Sequence, residues 1–522
     1  MISPKSAETR FADKSLPTTA ALIAISVVLA WAIARLPLPA AVGLVVLPAI
    51  LLLTLARPLF GLGVALLLGP FGALESVILG NPILDSGQIA LMVTLLAWIG
   101  AGLARRRLAI PATTFNLPWL LFFFIAALSL LDAYAIAPGL AELLKWLEIA
   151  LLVWLILDIA EWPTSSYPAV MRLSLAMLLL AGLVQALIGI WQFGLRGTGP
   201  EHFMVLDRFY RAYGTFEQPN PFGGYMNLTA MLALGTVMGL LAVWRERRRG
   251  RSGDDRLQSD HLRPFSGWLI YTLVCAVAAS LGLVLSWSRG AWLGFLAGVA
   301  VLALFSTRHV RRGLGLLLVA AVMVSALLSF GATAGIGPAR AVIDRLGGFR
   351  DEFTLGDVRG VDINDANFSV LERLAHWQAA TDMARDDLWT GVGFGNYESA
   401  YADYALINFT AALGHAHNYY LNLLAEVGLP GLLAYMFFWL AVMGQSVWLI
   451  RRLAWPERGV AVGLLAAWVA LAVHHLVDKL YVNNIYVHLG VMLGLLQLLV
   501  WPGFWVEDAR GRQPDETGSR VG

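Results

Sequence analysis

Apolar runs of about 20 residues recur along almost the whole of this 522-residue chain. A run of that length crosses the hydrocarbon core of a bilayer as a single α-helix. Composition agrees, since only 14% of the residues are charged, whereas soluble domains contain roughly 25%. The sequence therefore predicts an all-α, polytopic membrane protein.

The number of predicted transmembrane helices is about 12 to 14, because the short run at 58–73 and the close pair at 266–286 and 291–306 can be divided differently. No small-residue cleavage site follows the first run, so we expect it to be retained as a span. The single cysteine, Cys275, excludes a disulfide framework and a cysteine-based metal site. The predicted spans are 18–36, 39–56, 58–73, 89–104, 116–134, 146–161, 172–194, 225–244, 266–286, 291–306, 313–333, 432–450, 459–476 and 484–501.

Arginine clusters between the spans predict the orientation, because loops rich in lysine and arginine stay in the cytoplasm. With a cytoplasmic N-terminus, four such clusters fall on the cytoplasmic side of the same span count. We therefore expect a protein of the cytoplasmic (inner) membrane with both termini in the cytoplasm. The clusters are Arg105–Arg107, Arg245–Arg251, Arg308–Arg312 and Arg451–Arg452.

This topology places one very long loop on the outer, periplasmic or extracellular face. A connection of that length is expected to be functional or disordered. Ser369 and Glu372 have capping-box spacing, which predicts that the loop is partly helical. The predicted parts are a cytoplasmic tail at 1–17, spans within 18–333 with an outer loop at 195–224 and a cytoplasmic loop at 245–265, the large outer loop at 334–416, C-terminal spans within 417–501, and a cytoplasmic polar tail at 502–522.

Two arginines, Arg208 and Arg211, precede the segment GTFEQPNPFGG on the predicted outer face. Asn220 and Pro221 resemble a helix start with proline at the first helical position, where free backbone amides favour a phosphate. An ordinary surface turn and helix cap would explain the same residues.

Arg289 lies in the turn between two apolar runs, in the segment SWSRGAWLG. An arginine near the bilayer is costly unless it reaches the headgroups, pairs with an acid or serves a ligand. Its position on the outer face favours an anionic ligand, with headgroup contact as the alternative. Arg373 in the large loop is a further cationic candidate.

The segment GHAHNYYLNLLAEVGLPGLL places His415 and His417 at the mouth of an apolar helix. Histidine suits a general base because its ordinary pKa lies near neutrality. Metal binding and a simple headgroup-level cap are the alternatives, and no HExxH or DxD motif lies near in sequence. The Gly-Leu-Pro-Gly stretch at 428–431 predicts a break that ends a half-helix.

Two further polar motifs on the same face have simpler interpretations. His474 and His475, followed by Asp478 and Lys479, are interpreted as an interfacial anchor, with residues that support the site as the alternative. The segment GVGFGNY at 391–397 is interpreted as a flexible turn, because its glycine spacing is not that of a dinucleotide loop. No nucleic-acid partner is predicted.

Four segments in order are similar to the O-antigen ligase and O-antigen polymerase superfamily. The similarity covers about 210 to 450, and earlier residues resemble the family only as a set of spans. The segments are YRAYGTFEQPNPFGGYM, SWSRGAWLGFLAG, ERLAHWQAATDMARDDLWTGVGFGNY and HAHNYYLNLLAEVGLPGLL.

The resemblance implies a GT-C-like, metal-independent, inverting glycosyltransferase with no cofactor. Its donor would be a glycan on an undecaprenyl diphosphate carrier, and its acceptor a hydroxyl group of a glycan or of the lipid-A core. The family's functional positions fall on Arg211, Arg289 and His417. Further candidates for substrate binding are Arg208, Arg373, Asn220, His415, Asn418 and Glu426, of which Glu426 could alternatively hold a histidine tautomer.

The sequence leaves the exact reaction open. A ligase, a polymerase and a protein glycosyltransferase would share the same donor chemistry, and we favour the ligase. A transporter or flippase of lipid-linked sugars is the alternative of another class. That alternative predicts inverted repeats and ionisable residues near the bilayer midplane, whereas the polar residues here gather at one edge.

Overall fold

The computed structural model describes residues 34–80, 82–107, 110–249, 263–306, 357–363 and 367–500, with scattered residues between 24 and 31. Some predictions fall wholly or mostly outside these residues: the tail at 1–17, the spans at 18–36 and 313–333, and the tail at 502–522. Parts of the loops at 245–265 and 334–416 also fall outside them.

The described chain is predominantly helical, which confirms the predicted fold class. Every predicted span from 39–56 to 291–306, and every one after 417, coincides with a helix. The strands among the described residues form one short antiparallel hairpin, β1 (Met204–Val205) and β2 (Phe209–Tyr210). The helices are α1 (Leu38–Ala56), α2 (Pro58–Leu79), α3 (Ser86–Ala104), α4 (Asn116–Leu128), α5 (Ile136–Ala160), α6 (Tyr167–Gly194), α7 (Pro219–Arg249), α8 (Arg263–Leu285), α9 (Arg289–Phe305), α10 (Phe368–Asp386), α11 (Tyr397–Tyr404), α12 (Tyr419–Arg452), α13 (Glu457–His474) and α14 (Ile485–Val500).

The long helices have the length and composition of membrane spans. Seven helices among the described residues qualify: Pro58–Leu79, Ser86–Ala104, Tyr167–Gly194, Pro219–Glu246, Ser266–Leu285, Tyr419–Arg452 and Glu457–His474. Shorter apolar helices accompany them at Ala40–Ala56, Asn116–Asp132, Arg289–Phe305 and Ile485–Val500. The protein is therefore a multi-pass membrane protein.

Helix α13 lies at the centre of the second half of the bundle, where small residues let backbones approach closely. Gly235 on α7 packs against Gly463 on α13. The Cα of Gly463 lies 2.4 Å from the position that a Cβ on Gly235 would occupy. Gly294 and Gly298 on α9 face backbone carbonyls of α13. Close backbone approach at small residues is a common way for helices to associate in lipid, and here it places the start of α9 beside the end of α13.

Polar side chains collect at one end of the bundle, which we call the polar end. Helices α7, α9 and α12 begin there, and α8 and α13 end there. The described arginine clusters lie at the far ends of α3, α7 and α12. Helix direction therefore places those arginines at the opposite end of the bundle from His415 and His417.

The predicted break in α12 lies at Gly428, whose backbone has φ 64° and ψ −171°. The loop after α10 satisfies the backbone groups that the break leaves free, because Leu429 N–H donates to the Leu388 carbonyl at 2.7 Å and Val392 N–H donates to the Ala425 carbonyl at 2.9 Å. The segment at 391–397 is a turn, as predicted, with positive φ at its three glycines. The loop thus docks directly onto the half-helix that follows His417.

Two predicted helix starts differ from the structure. Helix α10 begins at Phe368 with Asn367 as its N-cap, so the Ser369 capping position was wrong. Helix α7 begins at Pro219 rather than Pro221. In both cases the helix begins slightly earlier than the local motif indicates, because the motif fixes a start only to within a residue or two.

Candidate functional site

Arg211 extends from the strand hairpin into the polar end. Its Nε donates to the Ser286 carbonyl at 2.9 Å, and its Nη2 donates to Oδ1 of Asn220 at 3.3 Å. The backbone N–H of the next residue, Ala212, donates to the Leu285 carbonyl at 2.9 Å. The segment before α7 is thereby fixed to the turn between α8 and α9.

Arg289 is the first residue of α9 and leaves the same turn. Ser288 is the N-cap, and its hydroxyl accepts a hydrogen bond from Ala291 N–H. A Cβ on Gly290 would lie 2.5 Å from Cγ2 of Val477 and 3.0 Å from the His474 ring. The absence of a side chain at Gly290 therefore lets Arg289 begin its helix directly against the segment that carries Asp478.

Asp478 connects the arginine side of the site to the histidine side. Its carboxylate hydrogen-bonds the side chain of Asn220, which also binds Arg211. Its Oδ1 lies 3.5 Å from Nε2 of His415. A continuous path of polar contacts therefore runs from Arg211 through Asn220 and Asp478 to His415.

The two histidines of the HAH segment contact each other through the backbone. Nδ1 of His415 accepts a hydrogen bond from the His417 N–H at 3.0 Å, and the rings lie 4.5 Å apart between centroids. His417 has φ 51°, an uncommon value for a residue with a side chain. Asn422 holds the segment by accepting a hydrogen bond from Ala416 N–H at 3.1 Å.

Burial determines the protonation of this cluster. It lowers the pKa of His415 to about 3, with the nearby Lys479 charge as the second cause. It also lowers the pKa of His417 well below the usual range, assisted by His415. Burial raises the pKa of Asp478 to about 6. At pH 7 both imidazoles are therefore neutral and Asp478 is ionised.

The structure places Arg208 and Arg373 differently from each other. Arg208 is exposed at the hairpin turn, with its guanidinium 5.5 Å from the centre of the Phe209 ring. Arg373 is half-buried on α10, and its charge lowers the pKa of His415, His417 and Asp478. Arg373 therefore lies close to the histidine side of the site, whereas Arg208 lies on the surface.

Asn418 and Glu426 have identifiable backbone partners. Asn418 is the N-cap of α12, and its Oδ1 accepts from Tyr420 N–H at 3.0 Å and Leu421 N–H at 3.2 Å. Glu426 is buried and accepts from Tyr397 N–H at 3.1 Å. The second of these contacts ties the half-helix to the start of α11, so Glu426 joins the large loop to the bundle.

The segment that carries Asp478 also contains residues that the sequence interpretation placed wrongly. His474, His475 and Lys479 are all buried, so the predicted interfacial anchor is wrong. Nζ of Lys479 lies 3.1 Å from Oε1 of Glu142, a buried ion pair, and the His475 carbonyl accepts from Tyr419 N–H at 2.8 Å. The sequence signal was the presence of ionisable residues at the ends of apolar runs, which is by default a functional indication.

His376 on α10 is a second residue that the sequence analysis did not select. Its Nδ1 lies 2.8 Å from the Tyr397 hydroxyl, its ring stacks on Tyr401, and it meets the His417 ring edge-on at 5.7 Å. Burial lowers its pKa to about 4. Helix α10 therefore covers His417 with a neutral aromatic side chain.

Fold and site together define a polytopic membrane protein with a largely enclosed centre of arginine, histidine and carboxylate side chains at one end of its bundle. Residues 274–436, just under a third of the chain, match the family described as O-antigen ligase. This match confirms the resemblance predicted from the sequence and supports a glycosyltransferase-like membrane enzyme of the O-antigen ligase and polymerase superfamily. It includes Arg289, Arg373, His415, His417, Asn418 and Glu426, while Arg208, Arg211 and Asn220 precede it. No curated protein matches the chain.

Proposed function

We propose that this protein transfers a glycan from an undecaprenyl diphosphate carrier to an acceptor hydroxyl group, as an O-antigen ligase does. The observation that carries the proposal is the path of contacts from Arg211 through Asn220 and Asp478 to His415 and His417. It joins a cationic part, suited to a diphosphate, to a neutral imidazole, suited to an acceptor hydroxyl group.

The donor diphosphate binds on the arginine side in this proposal. Arg211 binds the turn at 286–289 through the Ser286 carbonyl, and Arg289 is the residue at which the same turn enters α9. Guanidinium groups contact phosphate oxygens through two parallel hydrogen bonds. Fixed donors of this kind stabilise the charge that develops on a leaving group, so we propose that transfer requires no divalent metal.

The acceptor binds on the histidine side. Its hydroxyl oxygen attacks the anomeric carbon, the bond from that carbon to the diphosphate oxygen breaks, and the lipid diphosphate leaves with the electron pair. His417 accepts the hydroxyl proton, and the nearby diphosphate charge stabilises the resulting imidazolium. Attack opposite the leaving group inverts the anomeric configuration. Arg373 reaches the same region from α10.

We further propose that the polar end faces the periplasm or cell exterior. The arginine clusters at the far ends of α3, α7 and α12 would then lie in the cytoplasm, with the tails at 1–17 and 502–522. The loops at 195–224 and 334–416 would cover the outer face, and the bundle would have a GT-C-like arrangement in the cytoplasmic membrane. This orientation gives a lipid-linked donor and an outer-face acceptor access to one site.

The test is a reconstituted transfer assay with an undecaprenyl diphosphate-linked glycan as donor. Lipid-A core and a second carrier-linked glycan are offered separately as acceptors, and both the glycosylated product and the released lipid diphosphate are quantified. Extension of lipid-A core identifies a ligase, which we favour, whereas extension of the carrier-linked chain identifies a polymerase.

A matched flux measurement uses the same donor in sealed vesicles without an acceptor. Stoichiometric product and lipid diphosphate in the transfer assay support the transferase. Movement of intact donor between leaflets without any bond cleavage would contradict it and indicate a transporter.

A further inference from the structure

The loop before α12 and the loop between α13 and α14 bring three metal-ligating side chains together. One donor atom each from His415, His417 and Asp478 lies within 4.8 Å of the other two. The side chains of His415 and Asp478 are only 16% and 5% exposed. The sequence analysis found no carboxylate motif near the HAH segment, but the fold supplies Asp478 from 61 positions further along the chain.

The nitrogen atoms of this cluster have a defined arrangement. Nε2 of His415 faces Asp478 and is the ring atom that a metal would bind. Binding there requires the ring proton to lie on Nδ1, so it releases the contact between Nδ1 and the His417 N–H. Nδ1 of His417 is enclosed and has no hydrogen-bond partner among the described residues. A buried polar atom without a partner calls for an explanation, and a bound ion at this position would provide one.

Two imidazoles and one carboxylate form a donor set that suits zinc and neighbouring transition metals. Zinc bonds to nitrogen and oxygen are about 2.0–2.2 Å long, which puts tetrahedral donor atoms about 3.4 Å apart, so donor atoms within 4.8 Å of one another have to approach by at most about 1.4 Å. Three protein ligands leave the fourth tetrahedral position open to water.

The surrounding charges favour a transition metal over magnesium or calcium. The positive charges of Arg373 and Lys479 act on His415, and Arg373 also acts on Asp478. They oppose a cation that is held mainly by electrostatic attraction to oxygen, which is how magnesium and calcium bind. Zinc gains additional stabilisation from its bonds to imidazole.

We propose that His415, His417 and Asp478 bind one divalent transition metal ion, with zinc as the probe, and that the bound ion inhibits the protein. Binding stands independently of the proposed function. Inhibition rests on it, because a metal on His417 takes the lone pair that would accept the proton of the acceptor hydroxyl group.

Binding is tested by isothermal titration calorimetry of the purified, EDTA-treated full chain in detergent, with zinc chloride and with magnesium chloride. We expect one equivalent of zinc, bound at least tenfold more tightly than magnesium. His415→Ala and Asp478→Asn should each weaken zinc binding at least tenfold, whereas His202→Ala, at an exposed histidine of the 195–224 loop, should leave it unchanged.

Two variants besides His415→Ala allow the zinc-binding test to be interpreted even if that variant does not fold. If His415→Ala does not fold, Asp478→Asn decides the result, because it preserves the size of the side chain. Absence of zinc binding by the wild type would overturn the proposal. Unchanged binding in Asp478→Asn, or equal loss in His202→Ala, would overturn it as well.

Inhibition is tested in the transfer assay. Saturating zinc should lower the transfer rate at least tenfold, EDTA should restore it, and magnesium should have no effect. An unchanged or increased rate with zinc bound would overturn the inhibition. Zinc binding by a protein that shows no transfer under any condition would instead leave the metal site standing and remove the proposed function.

Discussion

Nδ1 of His415 accepts a hydrogen bond from the backbone N–H of His417 at 3.0 Å. An accepting Nδ1 carries no proton, so the proton of the neutral His415 ring is on Nε2 and points toward Asp478. This contact also holds the backbone of His417 at its positive φ of 51°. His415 is therefore a positioning residue for His417 in the proposed mechanism.

Removal of the His415 ring should misplace His417. We expect His415→Ala to lower kcat about 10- to 100-fold, because small errors in the position of a catalytic group are costly, while KM changes much less. His415→Asn should recover much of the loss, since an asparagine oxygen can accept the N–H two residues further on. Steady-state kinetics in EDTA measure both variants, and equal kcat values for alanine and asparagine would contradict a positioning role.

The two arginines before α7 should differ strongly in their effect on transfer. Arg211 contacts the turn at Ser286, whereas Arg208 is exposed over Phe209. We expect Arg211→Ala to lower kcat about 10²- to 10³-fold through loss of a fixed donor to the leaving group. Arg211→Lys should not restore the rate, because lysine lacks the planar fork. Arg208→Ala is the matched control. A comparable loss of kcat in that variant would contradict the assignment of the diphosphate contact to Arg211.

The break in α12 should depend on glycine. At Gly428 a Cβ would lie 2.6 Å from backbone atoms of Leu388 and Trp389, and its φ and ψ fall in a region that is almost restricted to glycine. Gly428→Ala should therefore destabilise the protein by about 1–3 kcal/mol. Gly444→Ala, in open space on the same helix, should change stability by less than about 1 kcal/mol. Thermal unfolding in detergent compares the two variants, and equal melting temperatures would contradict this account of the break.

The pH dependence of transfer should reflect the buried histidines. A general base must be neutral, and burial lowers the pKa of His417 well below its usual value. The neutral form therefore persists as the pH falls, and we expect kcat/KM to stay level from pH 8 through 6.5 and to decline only at lower pH. A pH–rate profile measures this dependence, and a titration midpoint at or above 6.5 would show that His417 is solvated like a surface histidine.

The bundle was predictable because its causes are local. The length and apolar composition of runs such as 225–244 and 459–476 are sufficient to predict membrane-spanning helices. The glycine and proline residues at 428–431 predict the break in α12. Helix α10 was predicted from its spacing, although its start was misplaced by two residues.

Topology and the family resemblance predicted that Arg211, Arg289 and His417 lie on one face, although they are distant in sequence. His415 and His417 share one segment, and Arg289 lies in a short turn between spans. For Asp478 the sequence favoured an interfacial anchor, because nothing local shows that the loop after α13 folds under the HAH segment. The same reason explains Lys479, whose buried partner Glu142 comes from a distant helix. Such contacts depend on the packing of whole helices, which a single sequence does not reveal.

The central claim is that the arginines and His417 act on one substrate complex. Its most direct test is glycan transfer by purified enzyme in EDTA, with a lipid-diphosphate donor, for wild type, Arg289→Ala and His417→Ala at equal folded concentration. We predict transfer by the wild type and losses of about 10²- to 10⁴-fold in both variants. Transfer at the wild-type rate by both variants would contradict the claim and place the chemistry elsewhere in the protein.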